Sequence, residues 1–365
     1  MIELAEIKEI IKKYDLKSIT IGVLGSHSAL DILDGAKDEG MSTIVICQAG
    51  REKPYVKLKR LSDEIIILEK FSDILNQEIQ NKLRELNTIF IPHRAFTSYI
   101  KYDSIENMFE VPLFGNRWIL RTEERNIERN QYYLLDKARI RRPQIINDAK
   151  EIKTPVIVKI QNSKNSRERA FFTAANYSDY QNKIADRIKS GLIAKERLNE
   201  SLIEELIVGT YFNFNYFYSP LEDSVEFLGI DRRLQTNLHD FVSLPAEQQL
   251  NMNIQIQNVE VGHMPATIRE SMLEKVFEIG ERFVEATKQE YSPGIIGPFA
   301  LQSVVTSDLE IVVYDVSPRV PGSPILTTTS PYSKYQFGKS IGTGQRIAME
   351  IKKAIKEGKI DKVIT

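Results

Sequence analysis

Apolar and polar positions change their rhythm about a third of the way along the chain. In the first part, short apolar runs alternate with amphipathic stretches. SITIGVL (18–24) ends on Gly25, a helical pattern runs from Ser28 to Glu39, and Gly40 stops it. Strands at 42–47 and 64–69, a helix over 73–86 and a strand at 88–92 follow. Strands alternating with helices predict βαβ units and a parallel sheet, here over residues 1–120.

Beyond that point the pattern is different. Residues 121–138, rich in Arg and Glu, read as a connecting helix. TPVIVKI (154–160) is a strand, with FFTAAN (171–176) pairing across a polar loop and a helix over 178–190. SLIEELIVG (201–209) is another strand. YFNFNYFYS (211–219) alternates aromatic and polar residues, as a half-buried strand does. SVEFLGIDRRL continues it through a turn at Pro220. In the amphipathic helix 268–287, Met272, Val276, Ile279 and Phe283 form one stripe, the mark of core packing. A hairpin, FALQSVV-TSDL-EIVVYDV, and a helix after Gly344 close the chain. Residues 121–365 are therefore α+β, with antiparallel strands dominating.

Composition narrows the function classes. At 365 residues, 42% hydrophobic and 27% charged, the chain has material for about two domains with a substantial core. Its 49 basic and 50 acidic residues give a net charge of -1, which asks for neither nucleic acid nor an anionic membrane. No apolar run reaches the ~18 residues of a membrane span. MIELAEIKEIIKKY reads as an amphipathic helix rather than a signal peptide. Cys47 sits in the apolar run TIVIC and reads as a buried strand residue. A single cysteine excludes an intrachain disulfide and fits a reducing, cytoplasmic setting. Four scattered histidines and one cysteine show no zinc spacing.

Five groups of residues have chemical potential. Gly25-Ser26-His27-Ser28 forms a strand-to-helix turn, whose free N–H groups suit a phosphate or carboxylate. Helix capping alone accounts for the serines; His27 is the informative residue. Pro92-His93-Arg94-Ala95 ends another strand on the same sheet edge. There His93 and Arg94 clamp an anion, unless the loop is merely an exposed basic one. Lys159 ends an apolar strand, which suits a phosphate ligand or a lysine snorkelling to water. Of Glu204 and Glu205, adjacent in a strand, one faces solvent and the other needs a partner or a ligand. With the last turn centred on Ser307-Asp308, Gln302 pairs with Val313, and Asp315 is its diagonal neighbour on one face with Ser317. That oxygen-rich face fits Mg²⁺, if it is not simply a solvated hairpin face. Arg319, just beyond, is placed to neutralise a transferring phosphoryl group.

The βαβ domain, VIVK, IEELIVGT, GPFALQS and the paired acidic strand together resemble the ATP-grasp superfamily. GVLGSHSALDILDGAKDEG, VPLFGNR, VGTYFNFNYFYSPL, IRES and IIGPFALQS resemble, more narrowly, the archaeal 5-formaminoimidazole-4-carboxamide ribonucleotide synthetases. The likeness runs over essentially the whole chain. It implies a Rossmann-like pre-ATP-grasp domain (1–120) followed by an ATP-grasp domain (121–365). It also implies an ATP-dependent carbon–nitrogen ligase of purine biosynthesis. Such enzymes formylate aminoimidazole carboxamide ribonucleotide (AICAR) with formate through formyl phosphate, giving ADP and phosphate.

Carried over by position, the resemblance gives His27, Asn237 and the positions of Arg94, Ala95 and His263 to the nucleotide substrate. Lys159 would bind ATP phosphates; Glu205, the backbone of Leu206 and Ile207, and the position of Gln235 would hold ATP. Gln302 and Asp315 would ligate Mg²⁺ or Mn²⁺, and a homo-oligomer is expected. Several positions depart from the family pattern. The phosphate-covering loop, QNSKNSRERAFF (161–172), has no glycine. Arg94-Ala95 replaces Gly-Ser, Gln235 a glutamate, His263 an asparagine, and Asp315 a longer glutamate. VPGSPI (320–325) replaces a glycine-rich run. Two alternatives stand beside the family activity: a paralogue with another carboxylate or acceptor, and a nucleotide sensor without catalysis.

Overall fold

Thr20–Leu24 (β1) is buried at every position, as an inner parallel strand covered on both faces must be. The computed structural model describes residues 2–124, 127–161, 169–236, 241–252 and 259–365. Ser42–Gln48 (β2), Glu64–Leu68 (β3) and Thr88–Phe90 (β4) join β1 in a parallel sheet of order β3-β2-β1-β4. Helices Leu4–Ile11 (α1), Ala29–Asp38 (α2) and Gln77–Glu85 (α3) belong to this layer. The helix expected over 73–86 is divided at Asn76, whose backbone is extended (φ -62, ψ 134). Arg94–Tyr99 (α4) starts where the strand expected to reach Pro92 has already ended at Phe90.

The connecting helix expected over 121–138 does not form as one piece. A 3₁₀ turn covers Leu120–Glu123, and Gln131–Lys137 (α5) starts anew under Asn130, whose side chain accepts from Tyr132 N and Tyr133 N. Val156–Gln161 (β5), Arg169–Ala174 (β6) and Leu202–Glu205 (β7) make a small antiparallel sheet, β6-β5-β7, with Tyr177–Lys189 (α6) beside it. β7 is shorter than the expected 201–209.

Thr210–Ser219 (β8), Ser224–Gln235 (β9), Glu260–Ala266 (β10), Gly297–Val305 (β11) and Ile311–Ser317 (β12) form the larger antiparallel sheet, β10-β9-β8-β11-β12. Leu273–Glu290 (α7) buries Val276, Ile279 and Phe283 against its aromatic side, with the Phe283 and Phe299 ring centroids 5.5 Å apart. β8 is not half-buried: Asn213 and Asn215 are buried like Phe214 between them and Tyr216 beyond. Thr343–Lys356 (α8) packs on the first layer. A Cβ on Gly35 would lie 1.9 Å from Gln345 N, so the helices α2 and α8 touch backbone to backbone there. Among the described residues no helix is long and apolar enough to cross a membrane. Cys47 is buried within β2, as its sequence context indicates.

Candidate active site

The last hairpin differs from its expected register by one residue. Thr306 N donates to Glu310 O (3.0 Å), leaving Ser307, Asp308 and Leu309 as a three-residue loop with Leu309 at φ 60. Ser303 then faces Val313, and a bulge at Tyr314 sets Gln302 directly opposite Asp315. Without the bulge Asp315 would point to the other face, because strand side chains alternate.

Gln302 also pairs with Asn213 on β8, and Asn213 with Asp231 on β9. Asp315, Gln302, Asn213 and Asp231 thus form one polar row across four strands. Its members are held in place. Asn213 and Asn215 donate to the two oxygens of fully buried Asp231 (2.8 and 2.7 Å), and Ser323 donates to Asn215 Oδ1 (3.0 Å). Gln302 Nε2 donates to Ser317 (3.3 Å). Its Oε1 is buried and lacks a hydrogen-bond partner among the described residues.

Lys159 belongs to β5 of the smaller sheet. It is buried and ion-paired with Glu204, so it neither ends its strand nor snorkels. Tyr132 of α5 donates to Glu204 Oε1 (2.9 Å) and also contacts Tyr314 O (3.2 Å); Gln131 Oε1 accepts from Val316 N (2.5 Å). Two neighbouring side chains of one helix therefore grip the backbone on either side of Asp315, and one of them reaches Lys159 through Glu204. Glu205, on the opposite face of β7, accepts from Arg141 and from Gln144 N (both 3.3 Å). Leu206 N donates to Pro155 O (3.1 Å), while Ile207 packs with Val304, Val312 and Tyr314 in a small apolar cluster.

On the first layer, His27 sits in a left-handed turn (φ 50) with Nδ1 2.7 Å from Ser28 Oγ. The Ser28 hydroxyl proton goes to Pro321 O (2.7 Å), so His27 donates through Nδ1 and keeps Nε2 as an acceptor. Burial, and then the Arg319 charge, push its pKa down to about 2. His93 stacks at 6.0 Å from His27. The anion clamp expected of it with Arg94 does not form. His93 is fully buried, donates from Nε2 to Leu24 O (2.9 Å) and accepts at Nδ1 from Ala95 N (3.1 Å). Burial lowers its pKa to about 4. Arg94 turns instead to Glu123, 2.9 Å away. Arg319 takes the other oxygen of that carboxylate, also at 2.9 Å.

His263 closes the far side. Its Nδ1 lies 2.5 Å from Asp231 Oδ2 and its Nε2 2.8 Å from Glu260 Oε1. Burial works against its charge, but the two carboxylates outweigh it and lift the pKa to about 9. Glu260 also pairs with Arg233 (2.8 Å). A Cβ on Gly322 would lie 3.0 Å from His27 Nε2 and 3.5 Å from His263 Nε2, so this glycine separates the two rings. Gln235 pairs with Glu260 at the end of β9. Asn237 and most of the 161–172 loop lie outside the described residues.

Gln302 Oε1 beside the Asp315 carboxylate suits a hard divalent cation that completes its shell with phosphate and water. Among the described residues no cluster of three or more His, Cys, Asp or Glu side chains is placed to hold a metal ion. Sequence reasoning missed Glu123, Gln131, Tyr132 and Asp231. Asp231 was detectable: a carboxylate inside FLGID must be paired, by the argument applied to Glu204.

Comparison with known proteins agrees with this architecture. Residues 179–365 match the family described as "Domain of unknown function (DUF1297)", and residues 21–146 match "Protein of unknown function (DUF1246)". The chain is 45% identical to the 5-formaminoimidazole-4-carboxamide-1-(beta)-D-ribofuranosyl 5'-monophosphate synthetase of Methanocaldococcus jannaschii, covering 100% of both chains. It is 42% identical to that of Methanopyrus kandleri, again over 100% of each. The crystal structure of an IMP biosynthesis protein PurP from Thermococcus kodakaraensis superposes with a TM-score of 0.72 at 26% identity, over 94% of this chain and 100% of that one. The ADP complex of an N5-carboxyaminoimidazole ribonucleotide synthetase shares the fold (TM-score 0.60, 13% identity, 88% of this chain and 76% of that one). With whole-length identity of this order and an ATP-grasp architecture, the chain belongs to the family of 5-formaminoimidazole-4-carboxamide-1-(beta)-D-ribofuranosyl 5'-monophosphate synthetases.

Proposed function

We propose that this protein is an ATP-dependent ligase that formylates AICAR with formate, in the route to IMP. A formate oxygen attacks the γ-phosphorus of ATP, the bond to the β-bridging oxygen breaks, and ADP departs. The AICAR amine then attacks the formyl carbon of formyl phosphate, phosphate leaves, and the nitrogen loses a proton. The observation that carries this reading is the Asp315–Gln302–Asn213–Asp231 row, whose buried Gln302 Oε1 has no hydrogen-bond partner among the described residues, tied through Tyr132 to Lys159. No protein nucleophile is required.

In this reading Lys159 holds ATP phosphates, and Glu205, Leu206, Ile207 and Gln235 hold the nucleoside end beside the Ile207–Val304–Val312 cluster. Gln302 and Asp315 would hold Mg²⁺ or Mn²⁺, which when bound offsets charge on the phosphate oxygens. His27 presents a neutral acceptor to a substrate N–H, with Ala95, Asn237 and His263 on the acceptor side. Arg319 faces the transferring phosphoryl group. The division at residues 120/121 stays our proposal, with α8 returning to the first layer. We also propose a cytoplasmic homo-oligomer.

The test is ADP release from ATP, Mg²⁺, formate and AICAR. Release with another small acid but not with formate would favour a paralogue, a reading supported by Arg94 and His263 at substrate-side positions. Nucleotide binding without turnover would favour a sensor. Asp315→Asn is expected to lower turnover about 100-fold with the fold intact, and a fully active variant would remove Asp315 from the metal site.

A further inference from the structure

Glu123 lies at the seam between the two layers, with its side chain 7% exposed. Four groups converge on it. Arg94 Nη1 and Arg319 Nη2 each sit 2.9 Å from one of its oxygens. Thr97 Oγ1 (3.1 Å) and Tyr102 Oη (3.4 Å) donate to the oxygen that Arg94 uses. A single carboxylate held by two guanidiniums leaves a net positive charge. Arg94 comes from the first layer and Arg319 from the segment that follows β12, so Glu123 joins the two. The Arg319 guanidinium is 8% exposed, and its Nε is buried without a hydrogen-bond partner among the described residues. Arg94 and Asp315 are both among the charges that act on Arg319, and Asp315 acts on Arg94 as well. Both guanidiniums are therefore within electrostatic reach of Asp315.

We infer that Glu123 is a positioning residue that yokes Arg94 and Arg319 into one receptor for the phosphoryl group in transfer. Planar guanidiniums hold phosphate oxygens best at fixed angles. Two arginines repel and diverge unless an anion lies between them. Glu123 supplies that anion from behind, so the outward N–H groups stay aimed at the phosphoryl oxygens. Arg94 then acts in phosphoryl transfer and not only in gripping the acceptor. This rests on the ligase reading above.

Two variants and two readouts test it. Glu123→Gln removes a negative charge and the yoke. Turnover is expected to fall about tenfold or more, because a small misplacement is costly in a transition state. Orthophosphate binding in the presence of ADP and Mg²⁺, measured by calorimetry, is expected to hold or tighten, because the local charge becomes more positive. Arg94→Ala, at a half-exposed side chain, is expected to weaken that orthophosphate binding about tenfold. Unchanged turnover in Glu123→Gln overturns the inference, as does unchanged phosphate affinity in Arg94→Ala. If turnover, phosphate affinity and melting temperature all drop together in Glu123→Gln, the carboxylate is only a staple between layers. Wild-type turnover with formate tests the ligase reading separately, and the phosphate titration needs no turnover.

Discussion

His27 and His263 approach the same glycine from opposite sides of the crevice, and their surroundings treat them in opposite ways. On the parallel layer, His27 sits against His93 and within the field of Arg319, and among the described residues no carboxylate is hydrogen-bonded to its ring. Burial there favours the neutral ring. On the antiparallel sheet, His263 lies between Asp231 and Glu260, and their charges outweigh the same burial. One wall of the crevice offers a lone pair, while the other is a fixed cation with both N–H groups engaged. Desolvation sets the sign only where no opposite charge is within hydrogen-bond reach.

The most forceful way to break this contrast is Asp231→Asn. Both oxygens of Asp231 accept from Asn213 and Asn215, and one also takes His263. A carboxamide must turn an NH₂ group toward a donor and leave His263 with Glu260 alone. Removing one partner of a buried charge pair costs about 3 kcal/mol or more. The urea midpoint should fall accordingly, and the His263 ring should titrate below its starting value of about 9 by NMR. A variant as stable as the wild type, with the ring unmoved, would show that Asp231 does not set the charge.

A smaller effect is expected at Gly322. An added methyl would lie 2.9 Å from His27 Cε1 and 3.0 Å from Nε2. Ser28 anchors the ring at Nδ1, so it has little room to yield. If the Nε2 lone pair is what the acceptor meets, Gly322→Ala should raise the acceptor KM about tenfold, roughly 1.4 kcal/mol, and change kcat less. Equal losses in both constants would place the glycine's role in the chemical step instead.

Much of this arrangement was legible in the sequence, and what was not has identifiable causes. The parallel layer could be read because its strands are continuous apolar runs between glycine stops, as in Thr20–Leu24. The Gln302–Asp315 face was found, but its register was off by one. Leu309 occupies a left-handed position where glycine or asparagine would have marked a three-residue loop. The compensating bulge at Tyr314 has no sequence signature. The alternation in YFNFNYFYS puts Asn213 and Asn215 on the wet side of a half-buried strand, yet both are buried. Alternation alone does not distinguish water from a buried polar row. The yoke at Glu123 joins segments about thirty and two hundred residues apart, and a charged residue in an Arg- and Glu-rich stretch gives no hint of burial.

The gentlest probe of the contrast is pH. His27 and His93 titrate at about 2 and about 4 in the fold, against an ordinary 6.5. The unfolded chain takes up their protons first, so stability should decline as pH falls below about 6.5. Glu260, held near 2 against an ordinary 4.5, adds to the acid loss only below 4.5. Asp31, raised by burial to about 6, has the opposite sign and offsets part of this loss as pH falls through 6, so between 6.5 and 4.5 the histidine part is read as the difference between wild type and His27→Asn. His263 has the opposite sign. With a folded value of about 9, its contribution is complete below 6.5 and is lost as pH rises through 9. Urea midpoints measured across this range should fall on both sides of neutrality. His27→Asn should flatten only the acid limb, and His263→Asn only the alkaline one. If His263→Asn leaves the alkaline limb unchanged, the histidine is not the cation that Asp231 and Glu260 surround.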